Sequence, residues 1–235
     1  MPTPLLFTHG FASSSHAWAP LVDALSPTRL CITWDVRGHG KGYCPADPAE
    51  YSIPLTVGDM ARLLDDNGVE RAVLVGHSMG GYLSMEFERA HPSRVAGLVL
   101  IGTGPGFRKD EARDGWNNIC DRYAHIFATK GFAGLGESAE LDGSVHSGVE
   151  GLINAAHGIL RQQDAGVIDN LPNINVPTLI IVGSEDKPFL AGSDYMAAKI
   201  PGAHKVVVEG APHAPMITDT AVVLAEMEKF LDGIG

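Results

Sequence analysis

Gly76-His77-Ser78-Met79-Gly80 places a serine between two glycines where a run of branched apolar residues, Val73-Leu74-Val75, comes to an end. A strand that enters a helix through Gly-x-Ser-x-Gly must turn sharply at the serine. Gly76 and Gly80 have no side chains, so strand and helix approach Ser78 closely. Ser78 Oγ then stands at the C-terminal edge of a sheet, where open α/β sheets bind ligands. The following helix aims its N-terminus at the same point, and the Met79 amide is placed to donate to a developing oxyanion. The chemistry implied is attack by a serine hydroxyl; the plain alternative is a glycine-rich turn with an incidental serine.

A serine is a poor nucleophile without a base. Of the ten histidines, His213 in Glu209-Gly-Ala-Pro-His-Ala-Pro215 follows the last expected strand and precedes the last helix. That puts it above the same sheet edge. A histidine base needs an acid to hold its tautomer. Asp186, just past the strand ending at Gly183, is the candidate, with Glu185 its adjacent rival. Acyl transfer also needs a second oxyanion donor. The loop after the first strand, Phe7-Thr-His-Gly-Phe-Ala-Ser-Ser14, supplies one in the Phe11 amide, since His9-Gly10 permits a tight turn.

These residues need a scaffold that brings several strand ends together. Apolar runs at 4–10, 29–35, 71–76, 95–102, 176–183 and 204–210 read as strands. Helical spacing marks 16–25, 55–69, 80–92, 193–200 and 220–231. Near-continuous apolar strands between helices indicate a parallel sheet covered on both faces. The rhythm stops between 103 and about 172, where glycines, charge and patchy helical pattern replace strands. The expected organisation is a core of 1–102 and 173–235 with a helical cap, 103–172, inserted in it, because a segment of that size makes a marginal core alone.

Composition narrows the function classes. With 17 Lys and Arg against 28 Asp and Glu, the net charge is −11, which argues against nucleic-acid or anionic-membrane partners. Cys31, Cys44 and Cys120 are odd in number and lack CxxC spacing, so neither a disulfide framework nor a zinc site is expected, and a reducing, cytoplasmic setting is. The N-terminus does not read as a signal peptide, and no stretch reaches the roughly 18 apolar residues of a membrane span. No cofactor and no metal are expected. The partner is a small-molecule substrate, and the assembly a monomer or homodimer.

Taken together, His9-Gly-Phe11, Asp35-Val-Arg-Gly-His-Gly40, Gly76-His-Ser-Met-Gly-Gly81, Val182-Gly-Ser-Glu-Asp-Lys-Pro188 and Ala211-Pro-His-Ala-Pro215 resemble the α/β-hydrolase superfamily over nearly the whole chain. The order Ser78, Asp186, His213 is that family's Ser…Asp…His order. The resemblance implies Ser78 as nucleophile, His213 as base, Asp186 as its orienter, and the Phe11 and Met79 amides as oxyanion hole. It gives Arg37 and His39 a structural role. Family members commonly carry two antiparallel strands before the His-Gly strand; here the chain starts almost at that strand. The expected fold is therefore α/β, a mostly parallel sheet of about six strands flanked by helices. Pro212 stands where the family usually has glycine before the histidine.

The implied reaction is hydrolysis of a small carboxylic ester, lactone or thioester. The alternatives are a C–C bond hydrolase or enol-lactonase of aromatic degradation, a hydroxynitrile lyase, and a receptor-like binding module. Trp116, Ile119, Tyr123, Phe127, Phe132 and Leu135 are the pocket-facing candidates in the insertion, with Trp116, Tyr123 and Phe127 taken as substrate-binding; residues at such spacing also form a cap's own core. Gly102-Thr-Gly-Pro-Gly-Phe107 fails the GxGxxG fingerprint at its last position, and Gly38-His-Gly-Lys-Gly42 lacks P-loop spacing. His125, His146 and His157 show no metal-ligand spacing.

Overall fold

Leu5, Leu6 and Phe7 are all fully buried, as a strand covered on both faces requires. The computed structural model describes residues 2–234; Met1 and Gly235, the outer ends of the expected core segments, lie outside the described residues. Six strands form one sheet: β1 Leu5–Thr8, β2 Cys31–Trp34, β3 Ala72–His77, β4 Val95–Ile101, β5 Thr178–Gly183 and β6 His204–Val208. Their order is β2-β1-β3-β4-β5-β6, and every neighbouring pair is parallel. The sheet is the six-stranded parallel one expected from the sequence.

The helices are α1 Ala19–Leu25, α2 Ile53–Asp66, α3 Met79–Ala90, α4 Asp110–Lys130, α5 Val149–Ala155, α6 Gly166–Asn170, α7 Lys187–Lys199, α8 Pro215–Thr218 and α9 Thr220–Asp232. Alternate strand residues feed two cores. Leu6, Leu74, Leu98, Leu100 and Ile180 meet Met60 and Leu64 of α2, Leu83 and Phe87 of α3 and Met196 of α7. Leu5, Phe7, Val73, Val75, Val99 and Ile181 meet Trp18, Leu21 of α1 and Val223, Met227 and Leu231 of α9. Each such buried side chain contributes about 1.5–3 kcal/mol relative to exposure, so the period-2 split of the strands is what clamps helices to both faces.

The helix ends follow local signals. Ser52 caps α2 by accepting from Leu55 N–H, and Gly68 ends the turn beyond it at φ 65. α7 departs from expectation: it starts at Lys187, not near 193, so it follows Asp186 directly. Pro188 lies in its first turn, where proline is well placed.

Between β4 and β5 the described residues contain no strand. α4 is followed by a short turn, Gly131–Gly134, an irregular stretch to Gly148, and α5, which runs into a π turn at Ala156–Leu160. Trp116 Nε1 donates to Leu160 O at 2.9 Å, tying α4 to that turn. Cys120, Ile159, Leu160, Val167 and Leu171 bury in the same core cluster as Leu6 and Leu74.

The Asp35–Gly40 turn is braced internally. Burial opposes ionisation of Asp35, but N–H donors from Lys41 and Ser15 hold its carboxyl below the ordinary carboxylate range. The buried Arg37 guanidinium donates to both carboxylate oxygens of Asp59 and to Glu50 O. Removing one partner of a buried pair strands the other charge. Asp59→Ala is therefore expected to destabilise the fold by about 3 kcal/mol in urea melts, whereas a loss below about 1 kcal/mol would show that Arg37 finds another partner.

Candidate active site

Ser78 sits between β3 and α3 at φ 51, ψ −117. Among the described residues, only Ser78 and Ala12 are non-glycines with positive φ. The surroundings hold Ser78 there: its N–H donates to Ile101 O at 2.9 Å, and its carbonyl accepts from Thr103 Oγ1 at 2.7 Å. The flanking glycines are required by space. A Cβ on Gly76 would lie 2.3 Å from Gly80 O, and one on Gly80 only 2.0 Å from Thr8 O. Strain of this kind persists only where the surroundings over-determine it.

His213 lies in the loop between β6 and α8, and Asp186 between β5 and α7. Asp186, 4% exposed, accepts from His213 Nδ1–H at 2.8 Å through Oδ2. Glu185 is exposed and points toward Lys187, with Oε2 4.0 Å from Nζ. The carboxylate that meets the histidine is thus Asp186. With Nδ1 donating, Nε2 of neutral His213 keeps a free lone pair, as a general base needs. Among the described residues, no hydrogen bond joins Ser78 Oγ to His213. Such contacts often tighten only with substrate bound.

Several residues around this pair escaped sequence reasoning. Gly102 was weighed only as part of a failed dinucleotide motif. It takes φ 53, and a Cβ there would lie 2.7 Å from His213 O and 3.3 Å from Asp186 Oδ2. The end of β4 therefore opens space for the pair. His77 is fully enclosed, and burial, followed by the nearby His213, pushes its pKa well down. The neutral ring donates from Nε2 to His213 O at 3.1 Å and lies 4.7 Å from the His213 ring. Phe189 of α7 stacks on His213 at 4.9 Å. His77 entered the sequence reading only as the residue before Ser78 in the Gly-x-Ser-x-Gly turn, and Phe189 carries no motif of its own.

The loop after β1 abuts the serine: a Cβ on Gly10 would sit 3.3 Å from Ser78 Cβ. His9 fixes this loop. Its Nε2 accepts from Val36 N–H at 3.0 Å, so Nδ1–H donates to Gly10 O at 2.7 Å. Burial pushes its pKa down to about 4, which keeps the ring neutral. Among the described residues the Phe11 N–H makes no backbone hydrogen bond. Met79 opens α3, where N–H groups lack intrahelical partners. The Phe11 ring meets His39, Tyr123 and Phe127 at 5.5, 5.7 and 6.0 Å. Phe127 is buried and Tyr123 exposed, while Trp116 is committed to Leu160. No group of three metal-ligating side chains occurs among the described residues, and no described helix is long and apolar enough to cross a membrane.

Comparison with known proteins places this geometry. A protein of Bacillus subtilis named "Putative 2-succinyl-6-hydroxy-2,4-cyclohexadiene-1-carboxylate synthase" is 27% identical over 96% of this chain and 89% of its own length. The structure of MenH from S. aureus superposes with a TM-score of 0.88 at 21% identity, covering 99% of this chain and 94% of that one. An esterase from Exiguobacterium antarcticum gives 0.82 at 21% identity, covering 99% and 93%. The alpha/beta hydrolase family matches residues 5–226, which is most of the sequence and includes every strand described above. With a six-stranded parallel sheet and a serine turned out between β3 and α3, this chain belongs to the alpha/beta hydrolase family.

Proposed function

We propose that this protein hydrolyses small carboxylic esters, lactones or thioesters through an acyl-enzyme on Ser78. The observation that carries the reading is the combination of Ser78 at φ 51 with the 2.8 Å His213–Asp186 contact on neighbouring strand ends. His213 Nε2 takes the Ser78 proton as Oγ attacks the carbonyl carbon. The oxyanion is held by the Phe11 and Met79 amides. The C–O or C–S bond breaks, and the leaving group departs with the proton from His213. Water, deprotonated by His213, then attacks the acyl-enzyme and Ser78 leaves with the proton. Asp186 holds His213 in the required tautomer and balances the imidazolium.

The test is turnover of a panel of p-nitrophenyl esters, lactones and thioesters by purified protein. Release of acid and alcohol is expected; a protein that binds these compounds without turnover would instead be a ligand-binding module. A second reading rests on the Bacillus subtilis relative, whose name is that of a synthase. In it, the same site serves a synthase reaction in place of ester hydrolysis. Trapping of an acyl-Ser78 adduct during ester turnover separates the two.

The residues of 103–172 act as the cap over this site in our reading, and Phe11, Tyr123 and Phe127 form its apolar wall. The support is their ring contacts beside Gly10. Phe127→Ala and Tyr123→Ala are expected to shift the preferred acyl-chain length in kcat/KM profiles. Profiles that fall in parallel, with no shift in preference, would remove these side chains from the pocket. The three free cysteines fit the cytoplasmic setting we propose.

A further inference from the structure

Ala12 has φ 58, a conformation that a Cβ-bearing residue adopts at a cost. It stands one residue past Phe11, so its backbone sets where the Phe11 amide points. Gly10 has the freedom such a turn favours; Ala12 does not, and something must hold it.

His146 does so from 134 residues away. It lies in the irregular stretch between the Gly131–Gly134 turn and α5. Its Nδ1 accepts from Gly40 N–H at 2.9 Å, which leaves Nε2–H to donate to Ala12 O at 3.0 Å. Both bonds exist together only in the neutral ring protonated at Nε2. His146 is 8% exposed, and burial lowers its pKa, which favours that form. The His39 ring meets it edge-on at 6.0 Å, and Phe132 stacks on it at 6.2 Å. The grip is wider than one residue. Ser147 donates to Gly40 O through N–H and Oγ, Ser13 Oγ donates to Glu140 O, and the Ser14 and Ser144 hydroxyls pair at 3.2 Å. Residues 140–147 thus hold both the loop after β1 and the turn after β2.

We propose that His146 is a positioning residue that fixes Ala12, and through it the Phe11 amide, in the oxyanion-binding conformation. The inference rests on the hydrolase reading of Ser78. It makes the helical insertion part of the rate-determining apparatus as well as a roof. An oxyanion donor acts mainly on the transition state, so its displacement lowers kcat more than it raises KM. A residue that only stabilised the fold would lower apparent kcat only as far as the folded fraction falls, which the thermal melts read, and would not speed exchange at 10–14 alone.

The experiment compares wild type, His146→Leu and His146→Gln for kcat and KM on a short-chain p-nitrophenyl ester. Thermal melts and amide hydrogen exchange over residues 10–14 accompany it, with Ser78→Ala as the blank. Leucine is expected to lower kcat at least about tenfold with KM within about threefold, and to speed exchange at 10–14 but not in α3. Glutamine offers both an acceptor and a donor and is expected to restore kcat to within about threefold of wild type. If the leucine variant does not fold, His146→Ala, which admits water, is read in its place. A folded variant with wild-type kcat, a loss carried by KM alone, or glutamine no better than leucine would overturn the proposal. Those results leave the hydrolase reading intact as long as Ser78→Ala is dead in the same assay. Turnover by Ser78→Ala would sink the hydrolase reading instead, and the exchange rates would still report whether His146 holds the loop.

Discussion

Ser78→Ala is expected to lower ester turnover by at least about a thousandfold while leaving the melting temperature nearly unchanged. The substitution removes one oxygen. It leaves the Ser78 N–H bond to Ile101 O and the Thr103 Oγ1 bond to the Ser78 carbonyl, both of which involve the backbone. Alanine tolerates φ 51 no better and no worse than serine, so the strain of the turn is retained. What disappears is the hydroxyl we propose as nucleophile. The residual rate would measure what the proposed Phe11 and Met79 oxyanion donors and substrate binding achieve with water alone. Substrate affinity of the variant, read from quenching of turnover-inactive analogues, should stay within about threefold of wild type, because the hydroxyl contributes chiefly to the transition state. Turnover within about tenfold of wild type in a preparation free of host esterase would remove Ser78 from the chemistry.

Asp186→Asn is expected to cost up to about ten-thousandfold in kcat, with KM changed far less. Asp186 accepts from His213 Nδ1–H at 2.8 Å and so leaves Nε2 unprotonated. An amide at 186 can turn its NH2 toward Nδ1. The ring proton then moves to Nε2, which can no longer accept the Ser78 proton. The variant also loses the negative charge that balances the imidazolium. Because Asp186 is 4% exposed and begins α7, a melt must accompany the kinetics. Glu185→Gln is the control: its carboxylate is exposed and directed toward Lys187, and the rate should stay within about twofold of wild type. If Glu185→Gln is the more damaging change, the acid has been misassigned.

The parallel sheet was legible because its strands are local objects. Val73-Leu74-Val75 and Leu98-Val99-Leu100-Ile101 are unbroken apolar runs, and only burial on both faces suits such a run. The turn at Ser78 was legible for a related reason: Gly76 and Gly80 are needed within four residues of one another, so the constraint is written in one short stretch. The start of α7 was misread because Pro188 suits both a loop and a first helical turn, and local composition does not choose between them. Between β4 and β5, α4 showed helical spacing, but the path from Gly131 to Gly148 depends on Gly40, Ala12 and Ser13, which lie far back in the chain.

By itself, the amino-acid sequence determined the sheet, the serine on its tight turn, and a later acid pair, Glu185-Asp186, and histidine, His213, at strand ends, each read from residue types over a few neighbouring positions. Tertiary structure decided the rest. Glu185 and Asp186 are chemically alike and adjacent, and only the path of the chain out of β5 turns one toward His213 and the other toward solvent. Gly102, His77 and His146 gained their places the same way: each meets a backbone atom of a distant segment, His213 O for the first two and Ala12 O for the third. A contact between residues more than a hundred positions apart leaves no period or spacing in the chain; it exists only once the sheet has brought the strand ends together.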